Sequence, residues 1–82
     1  MQNFYVYILL SEKTNKFYIG STENIENRQF RHNAGHTIST KTGIPWKLVY
    51  FETFETRVQA VARELEIKKK KSRAYIEKLI AR

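Results

Sequence analysis

The fold is decided by the stretch Phe4-Tyr5-Val6-Tyr7-Ile8-Leu9-Leu10, which is followed after six residues by Phe17-Tyr18-Ile19-Gly20. The first run is nearly all apolar, with β-branched and aromatic residues, and this composition predicts a buried strand. The second run predicts another short strand. Because only the polar residues 11–16 separate the two runs, we expect the strands to form a hairpin.

A helix is predicted directly after this hairpin. Asn24 has the side chain of an N-cap, and Gly35 suits the position where a helix ends in the left-handed conformation. Ile25 shares one face of this helix with Arg28 and His32, which lie four residues apart. Polar side chains on the face that should meet the core are typical of a functional surface.

A third strand follows a predicted loop. Residues 36–45 contain Gly43 and the only proline, Pro45, and we expect them to form that loop. Apolar residues alternate over 46–54 and predict the strand. One face of it is expected to hold Trp46, Leu48 and Tyr50.

The last third of the chain predicts two more helices. Thr56 and Gln59 form the pattern of a capping box for the first of them. Ser72 is a suitable cap for the second, which contains Ile76, Leu79 and Ile80. The expected core stripe of the first helix is Val58, Val61, Ala62 and Leu65.

The predicted order is therefore β-β-α-β-α-α, in a single domain over residues 1–82. This is a small α/β (α+β) fold, with a three-stranded, mainly antiparallel sheet flanked by helices. The chain contains no cysteine, which excludes disulfides and thiolate zinc sites and agrees with a cytoplasmic location. No run approaches the ~20 apolar residues that span a bilayer, so we expect no membrane segment.

The charge distribution indicates a polyanionic partner. The formal net charge is +7, and residues 55–82 contain nine Lys or Arg against four Glu. Such a balance favours nucleic acid first and an acidic membrane surface second. The run Lys68, Lys69, Lys70 and Lys71 would bind phosphates without reading sequence, or would only be the solvated basic end of a helix.

With these residues identified, the chain resembles the GIY-YIG nuclease superfamily over nearly its whole length, and most of all the small standalone bacterial members. Tyr5-Val6-Tyr7 occupies the place of the GIY element, and Tyr18-Ile19-Gly20 is the YIG element intact. The spacing from there to Arg28 is similar to that of the family, as is the later run Arg63-Glu64-x2-Ile67-Lys68. The glycine of GIY is replaced by Tyr5, a variation that the standalone members commonly show.

The resemblance implies an endonuclease that hydrolyses phosphodiester bonds, in DNA repair or processing. It implies that one tyrosine, Tyr7 or Tyr18, positions or deprotonates the attacking water while the other helps to hold the site. The residues do not decide which tyrosine is the base, and strand packing alone would also explain both. Arg28 is implied as the catalytic arginine, whose planar fork suits a phosphate that gains charge. His32 is implied to support the phosphate.

The resemblance also implies one divalent cation, Mg²⁺ or Mn²⁺, with Glu64 as its ligand. Locally, Glu64 could equally form an ion pair with Lys68, and Glu66 stands in the same relation to Lys70. The nucleic acid is expected to be DNA, with RNA as the alternative, and its contacts are expected to include Arg31 and Lys41 besides the lysine run. A rival hypothesis is a non-catalytic nucleic-acid-binding module. We expect a monomer or a weak homodimer.

Overall fold

The structure is a computed structural model that describes residues 2–82. Its elements run in the order β-β-α-α-β-α-α. The strands are β1 (Phe4–Ser11), β2 (Phe17–Thr22) and β3 (Trp46–Phe54). The helices are α1 (Ile25–Asn33), α2 (Ile38–Lys41), α3 (Arg57–Lys70) and α4 (Arg73–Ile80). No helix within residues 2–82 has the length and apolar character that crossing a membrane requires.

The three strands form one sheet in the order β2-β1-β3, and both pairings are antiparallel. This confirms the predicted hairpin and the three-stranded antiparallel sheet. The most apolar strand, β1, lies in the centre, where it is covered on both faces. Helices α3 and α4 pack on the face of Val6 and Ile8, whereas α1 contributes Ile25 to the face of Tyr7 and Leu9.

The predicted helix ends are confirmed. The side chain of Asn24 accepts a hydrogen bond from the Asn27 N–H at 3.0 Å, which satisfies one of the free donors at the start of α1. Gly35 follows that helix with φ of +80°, a conformation that glycine adopts without steric cost. Thr56 begins α3 with both hydrogen bonds of a capping box.

The prediction of a loop over residues 36–45 is wrong in part, because α2 lies within it. This one-turn helix has no side-chain cap, and its only buried residue is Thr40. It is held from outside, since the indole N–H of Trp46 donates to the Thr40 carbonyl at 2.7 Å. A helix that depends on a tertiary hydrogen bond leaves no periodic pattern in the sequence.

The prediction that Tyr50 shares a face with Trp46 and Leu48 is also wrong. Ile8 pairs with Tyr50 and Leu9 pairs with Leu48, so β3 has one extra residue, a β-bulge, between these pairs. An extra residue reverses the alternation of side chains beyond it. Tyr50 therefore packs on the face of α3 and α4, and Leu48 packs on the face of Tyr7.

The predicted core stripe of α3 is wrong. Val58 is 78% exposed and Leu65 is 59% exposed, whereas Ala60 and Ile67 are buried. The inward face includes Arg63, whose guanidinium donates to both carboxylate oxygens of Glu52 on β3. The inward face of α3 thus holds two apolar residues and an ion pair, while its more apolar side faces solvent.

Candidate active site

Tyr7 lies in the middle of β1, and its side chain crosses the neighbouring strand at Gly20. The two residues are paired in the sheet, and a Cβ atom added to Gly20 would lie 2.5 Å from the Tyr7 hydroxyl oxygen. Gly20 does not end its strand, because β2 continues beyond it to Thr22. Its missing side chain makes room for the Tyr7 hydroxyl.

His32 lies beneath the two tyrosines of the family motif and is only 1% exposed. Its Nε2 is 3.4 Å from the Tyr7 hydroxyl oxygen, and its ring centroid is 4.6 Å from that of Tyr18. Its Nδ1 is 2.8 Å from the hydroxyl oxygen of Thr40. Both ring nitrogens thus face protein groups, so the geometry offers His32 contact with Tyr7 rather than the expected contact with phosphate.

Burial shifts the proton affinities of this pair in opposite directions. Burial, followed by the charge of Tyr18, raises the pKa of Tyr7, and the positive charge of Arg28 opposes this rise. Burial, followed by the charges of Arg28 and Arg31, lowers the pKa of His32. At neutral pH the imidazole is therefore neutral and Tyr7 keeps its proton.

A basic pocket of about 310 Å³ opens above α1, and three arginines line it: Arg28, Arg31 and Arg57. Arg28 is exposed, and within residues 2–82 its guanidinium has no hydrogen bond and no ion pair. The guanidinium is therefore available to an anion. Arg57 pairs with Glu23 at 3.3 Å. Sequence reasoning missed Arg57, yet a cation in the first turn of α3 opposes the helix dipole and could have signalled a role.

The charge of Glu64 acts on the Tyr7 hydroxyl, whereas that of Glu66 does not, which separates two glutamates that the sequence left equivalent. The side chain of Glu64 is 16% exposed, and its charge raises the pKa of Tyr7. The side chain of Glu66 is 58% exposed and pairs with Arg63. Glu64 also accepts a hydrogen bond from Lys68 at 2.6 Å, which is the ion pair that the sequence allowed.

The donor set around Glu64 fits a hydrated hard cation. A carboxylate oxygen is the ligand that Mg²⁺ and Mn²⁺ prefer, and Mg²⁺ commonly keeps several waters and uses only one or two carboxylates. Among residues 2–82, no three His, Asp or Glu side chains lie close enough to form a protein cage. The site therefore suits one cation held by a single carboxylate rather than a fully enclosed metal centre.

The other residues expected to bind nucleic acid lie on three helices, α1, α2 and α3, and at the end of α3. Arg31 lines the basic pocket beside Arg28, and Lys41 is exposed on α2. The lysine run is exposed, but Lys68 pairs with Glu64 while Lys70 lies over the Tyr75 ring, 5.4 Å from its centroid, on another side of α3. The phosphate-binding role of these lysines stays a prediction.

Comparison with known proteins agrees with this arrangement. Residues 3–78 match the model of the GIY-YIG catalytic domain. A UPF0213 protein of Staphylococcus haemolyticus is 46% identical over 69 residues, which cover 83% of each chain. A UPF0213 protein of Clostridium perfringens is 47% identical over 79% of this chain and 70% of its own, and one of Listeria welshimeri is 38% identical over 82% and 76%.

No solved structure matches the chain significantly. The domain match spans all three strands and most of α4, so the tyrosines, Arg28, His32 and Glu64 all lie inside it. The fold is that of nucleases, a class that generally uses divalent metals. From the match over residues 3–78 and the UPF0213 relatives, the chain belongs to the GIY-YIG family.

Proposed function

We propose that this domain is an endonuclease that hydrolyses phosphodiester bonds in DNA with the help of one divalent cation, Mg²⁺ or Mn²⁺. The observation that supports this most strongly is the buried pair of Tyr7 and His32, whose hydroxyl oxygen and Nε2 are 3.4 Å apart. A buried tyrosine hydroxyl needs a hydrogen-bond partner, and here that partner is a neutral imidazole, which can also accept a proton. Arg28 and Glu64 act on the pKa of the same hydroxyl through their charges, Arg28 lowering it and Glu64 raising it.

The proposed chemistry uses Tyr7 as the base, through a proton relay. Water attacks phosphorus and forms a new P–O bond while the bond to the leaving oxygen breaks. The water proton passes to the Tyr7 oxygen as the proton of Tyr7 passes to Nε2 of His32, which is neutral and able to accept it. A concerted transfer avoids a free phenolate, which the raised pKa of Tyr7 disfavours.

Arg28 is proposed to hold the scissile phosphate in the basic pocket. Its unpaired guanidinium can donate two hydrogen bonds to phosphate oxygens and stabilise the charge that grows on them during attack. Arg31 lines the same pocket and is proposed to bind a neighbouring phosphate. Glu64 would hold the divalent cation, which when bound stabilises negative charge on the phosphate and the leaving oxygen.

One observation favours the rival function, a module that binds nucleic acid without cutting it. Glu64 already forms a 2.6 Å hydrogen bond with Lys68, and an ion pair of this kind competes with a metal for the carboxylate. Pairs of this kind on helix surfaces are worth about 0.2–0.5 kcal/mol, and Lys68 is 47% exposed, so its ammonium group can return to solvent. A divalent cation can therefore displace Lys68 at little cost, and we favour the enzyme.

The test is cleavage of labelled single-stranded, nicked, branched and duplex DNA, and of RNA, with Mg²⁺ or Mn²⁺ titrated. Tyr7→Phe should lower the cleavage rate at least ~100-fold, because it removes the base. Tyr18→Phe removes the equivalent hydroxyl from a residue that is not the proposed base, and it should cost less. Wild-type protein that binds these nucleic acids and cuts none of them would show that the module is the correct function.

A further inference from the structure

Thr40 is the one buried residue of α2 and lies against His32. Its hydroxyl oxygen is 2.8 Å from Nδ1 of His32 and 3.3 Å from the carbonyl oxygen of Thr37. Its own carbonyl accepts the Trp46 indole N–H at 2.7 Å, which fixes α2 against β3. The short helix thus brings one hydroxyl to the far side of the His32 ring.

The directions of these hydrogen bonds follow from counting protons. The Thr37 carbonyl can only accept, and although the Thr40 N–H already donates to it at 3.1 Å, its second lone pair is available. If the Thr40 hydroxyl donates to that carbonyl, its oxygen must accept from His32, and the imidazole proton lies on Nδ1. Nε2 is then bare and accepts the proton of Tyr7. In this arrangement the protons of Tyr7, His32 and Thr40 each have an acceptor.

The reverse direction turns the proton of Tyr7 away from His32 and toward Tyr18. If Thr40 donated to Nδ1, the imidazole proton would lie on Nε2 and would point at the Tyr7 oxygen. His32 could not then receive a proton from Tyr7. The two arrangements place the same atoms at the same distances and differ only in the tautomer of His32.

We propose that Thr40 is a positioning residue that holds His32 as the Nδ1–H tautomer, so that Nε2 is free to receive the proton of Tyr7. The effect of this tautomer on catalysis rests on the proposed function. The tautomer itself does not depend on catalysis and is measured on the resting protein. The signal in the sequence was weak, because a threonine in a predicted loop has no partner until α1 and α2 are packed together.

The test is a long-range ¹H–¹⁵N correlation spectrum of protein labelled with ¹⁵N-histidine, recorded at a pH where the imidazole is neutral. The chain contains only two histidines, and exposed His36 serves as the reference within the same spectrum. We expect His32 to show a protonated Nδ1 and a bare Nε2. A proton on Nε2 of His32 in the wild-type protein would overturn the proposal.

Three variants complete the test. Thr40→Ser keeps the hydroxyl and should keep the Nδ1–H tautomer, whereas Thr40→Val removes it and should lose that preference. Ser39→Ala removes an exposed hydroxyl from the same helix and should change nothing. An unchanged His32 spectrum in folded Thr40→Val would overturn the proposal. If Thr40→Val does not fold, the wild-type spectrum and Thr40→Ser still decide it.

Cleavage assays then separate the two proposals. Thr40→Val should lower kcat by roughly 10- to 100-fold with KM unchanged, because a histidine in the wrong tautomer cannot accept the proton. Thr40→Ser should restore most of that loss. An Nδ1–H tautomer in a protein that cuts nothing would disprove the proposed function and leave the positioning role of Thr40 intact. An Nε2–H tautomer in an active enzyme would support the proposed function and disprove the positioning role of Thr40.

Discussion

Gly20→Ala should damage the site without replacing any residue proposed to perform chemistry. The added Cβ would lie 2.5 Å from the hydroxyl oxygen of Tyr7 and 2.7 Å from its Cζ, whereas ordinary contacts begin at 3.4 Å. The ring must therefore move by about 1 Å, and it is buried against Leu9 and Trp46, which resist that movement. Overpacking of this kind costs typically 1–3 kcal/mol of unfolding free energy.

The assays are urea unfolding, thermal unfolding and cleavage. A loss of about 2 kcal/mol should lower Tm by roughly 8 to 16 °C in a domain of this size. Misplacing a reacting group by about 1 Å should lower the cleavage rate on the order of 100-fold in the protein that remains folded. Gly35→Ala is the control, because its strain comes from a φ of +80° and its added Cβ would meet Lys41 and Ile44 at ordinary distances and not Tyr7, so it should cost mainly stability.

A double-mutant cycle shows whether the clash is the cause. In a Tyr7→Leu background the atoms that the new Cβ would meet are absent, so Gly20→Ala should cost close to nothing there. If Gly20→Ala costs the same in both backgrounds, or leaves the wild-type stability unchanged, the reasoning that Gly20 makes room for Tyr7 is wrong.

Three further predictions concern charge, pH and packing. Replacing Lys68–Lys71 by glutamine should reduce the slope of log affinity against log salt by up to about 3, and an unchanged slope would show that the run is only solvated. Burial tends to raise the pKa of Glu52, but the hydrogen bonds from Arg63 and Tyr50, together with the positive charges of Arg63 and Arg82, outweigh this and lower it. The stabilisation that ionised Glu52 gives the fold is therefore present above its unfolded-state pKa and is lost as pH falls through the lowered folded-state pKa. Glu52→Gln should therefore flatten the decrease in unfolding free energy at acid pH, measured in urea. Ile67→Ala should cost about 2–5 kcal/mol, whereas Leu65→Ala should stay within about 0.5 kcal/mol, and equal losses in urea unfolding would return Leu65 to the core.

Local signals in the sequence predicted the elements well. Asn24, Gly35 and Thr56 identified helix ends because caps and left-handed turns depend on a few adjacent residues. The strands were predictable because β1 is apolar enough to be buried on both faces. Such signals are decided within a few residues of chain, and tertiary contacts did not override them.

The errors all arose where a distant contact decides the local structure. The inward face of α3 includes the pairing of Arg63 with Glu52 as well as Ala60 and Ile67, so counting apolar residues selected the wrong side of the helix. The bulge in β3 depends on its register with β1, and α2 depends on the hydrogen bond from Trp46. None of these contacts can be read from a window of sequence.

The site was predicted as a set of residues but not as an arrangement. Sequence motifs selected Tyr7, Arg28 and Glu64, while the burial of His32 and the hydroxyl of Thr40 behind it required the packed structure. Spacing places residues on one helix face, but it does not reveal which nitrogen of an imidazole faces which oxygen.

The most direct test of the proposed active site compares Glu64→Gln with Glu66→Gln in metal-dependent cleavage of the labelled nucleic acids. Both substitutions remove one negative charge from α3, but only the charge of Glu64 acts on Tyr7, and Glu64 is the proposed ligand of the cation. We predict that Glu64→Gln abolishes cleavage while nucleic-acid binding persists. We predict that Glu66→Gln cleaves at close to the wild-type rate. Cleavage by Glu64→Gln at the wild-type rate would contradict the proposed active site.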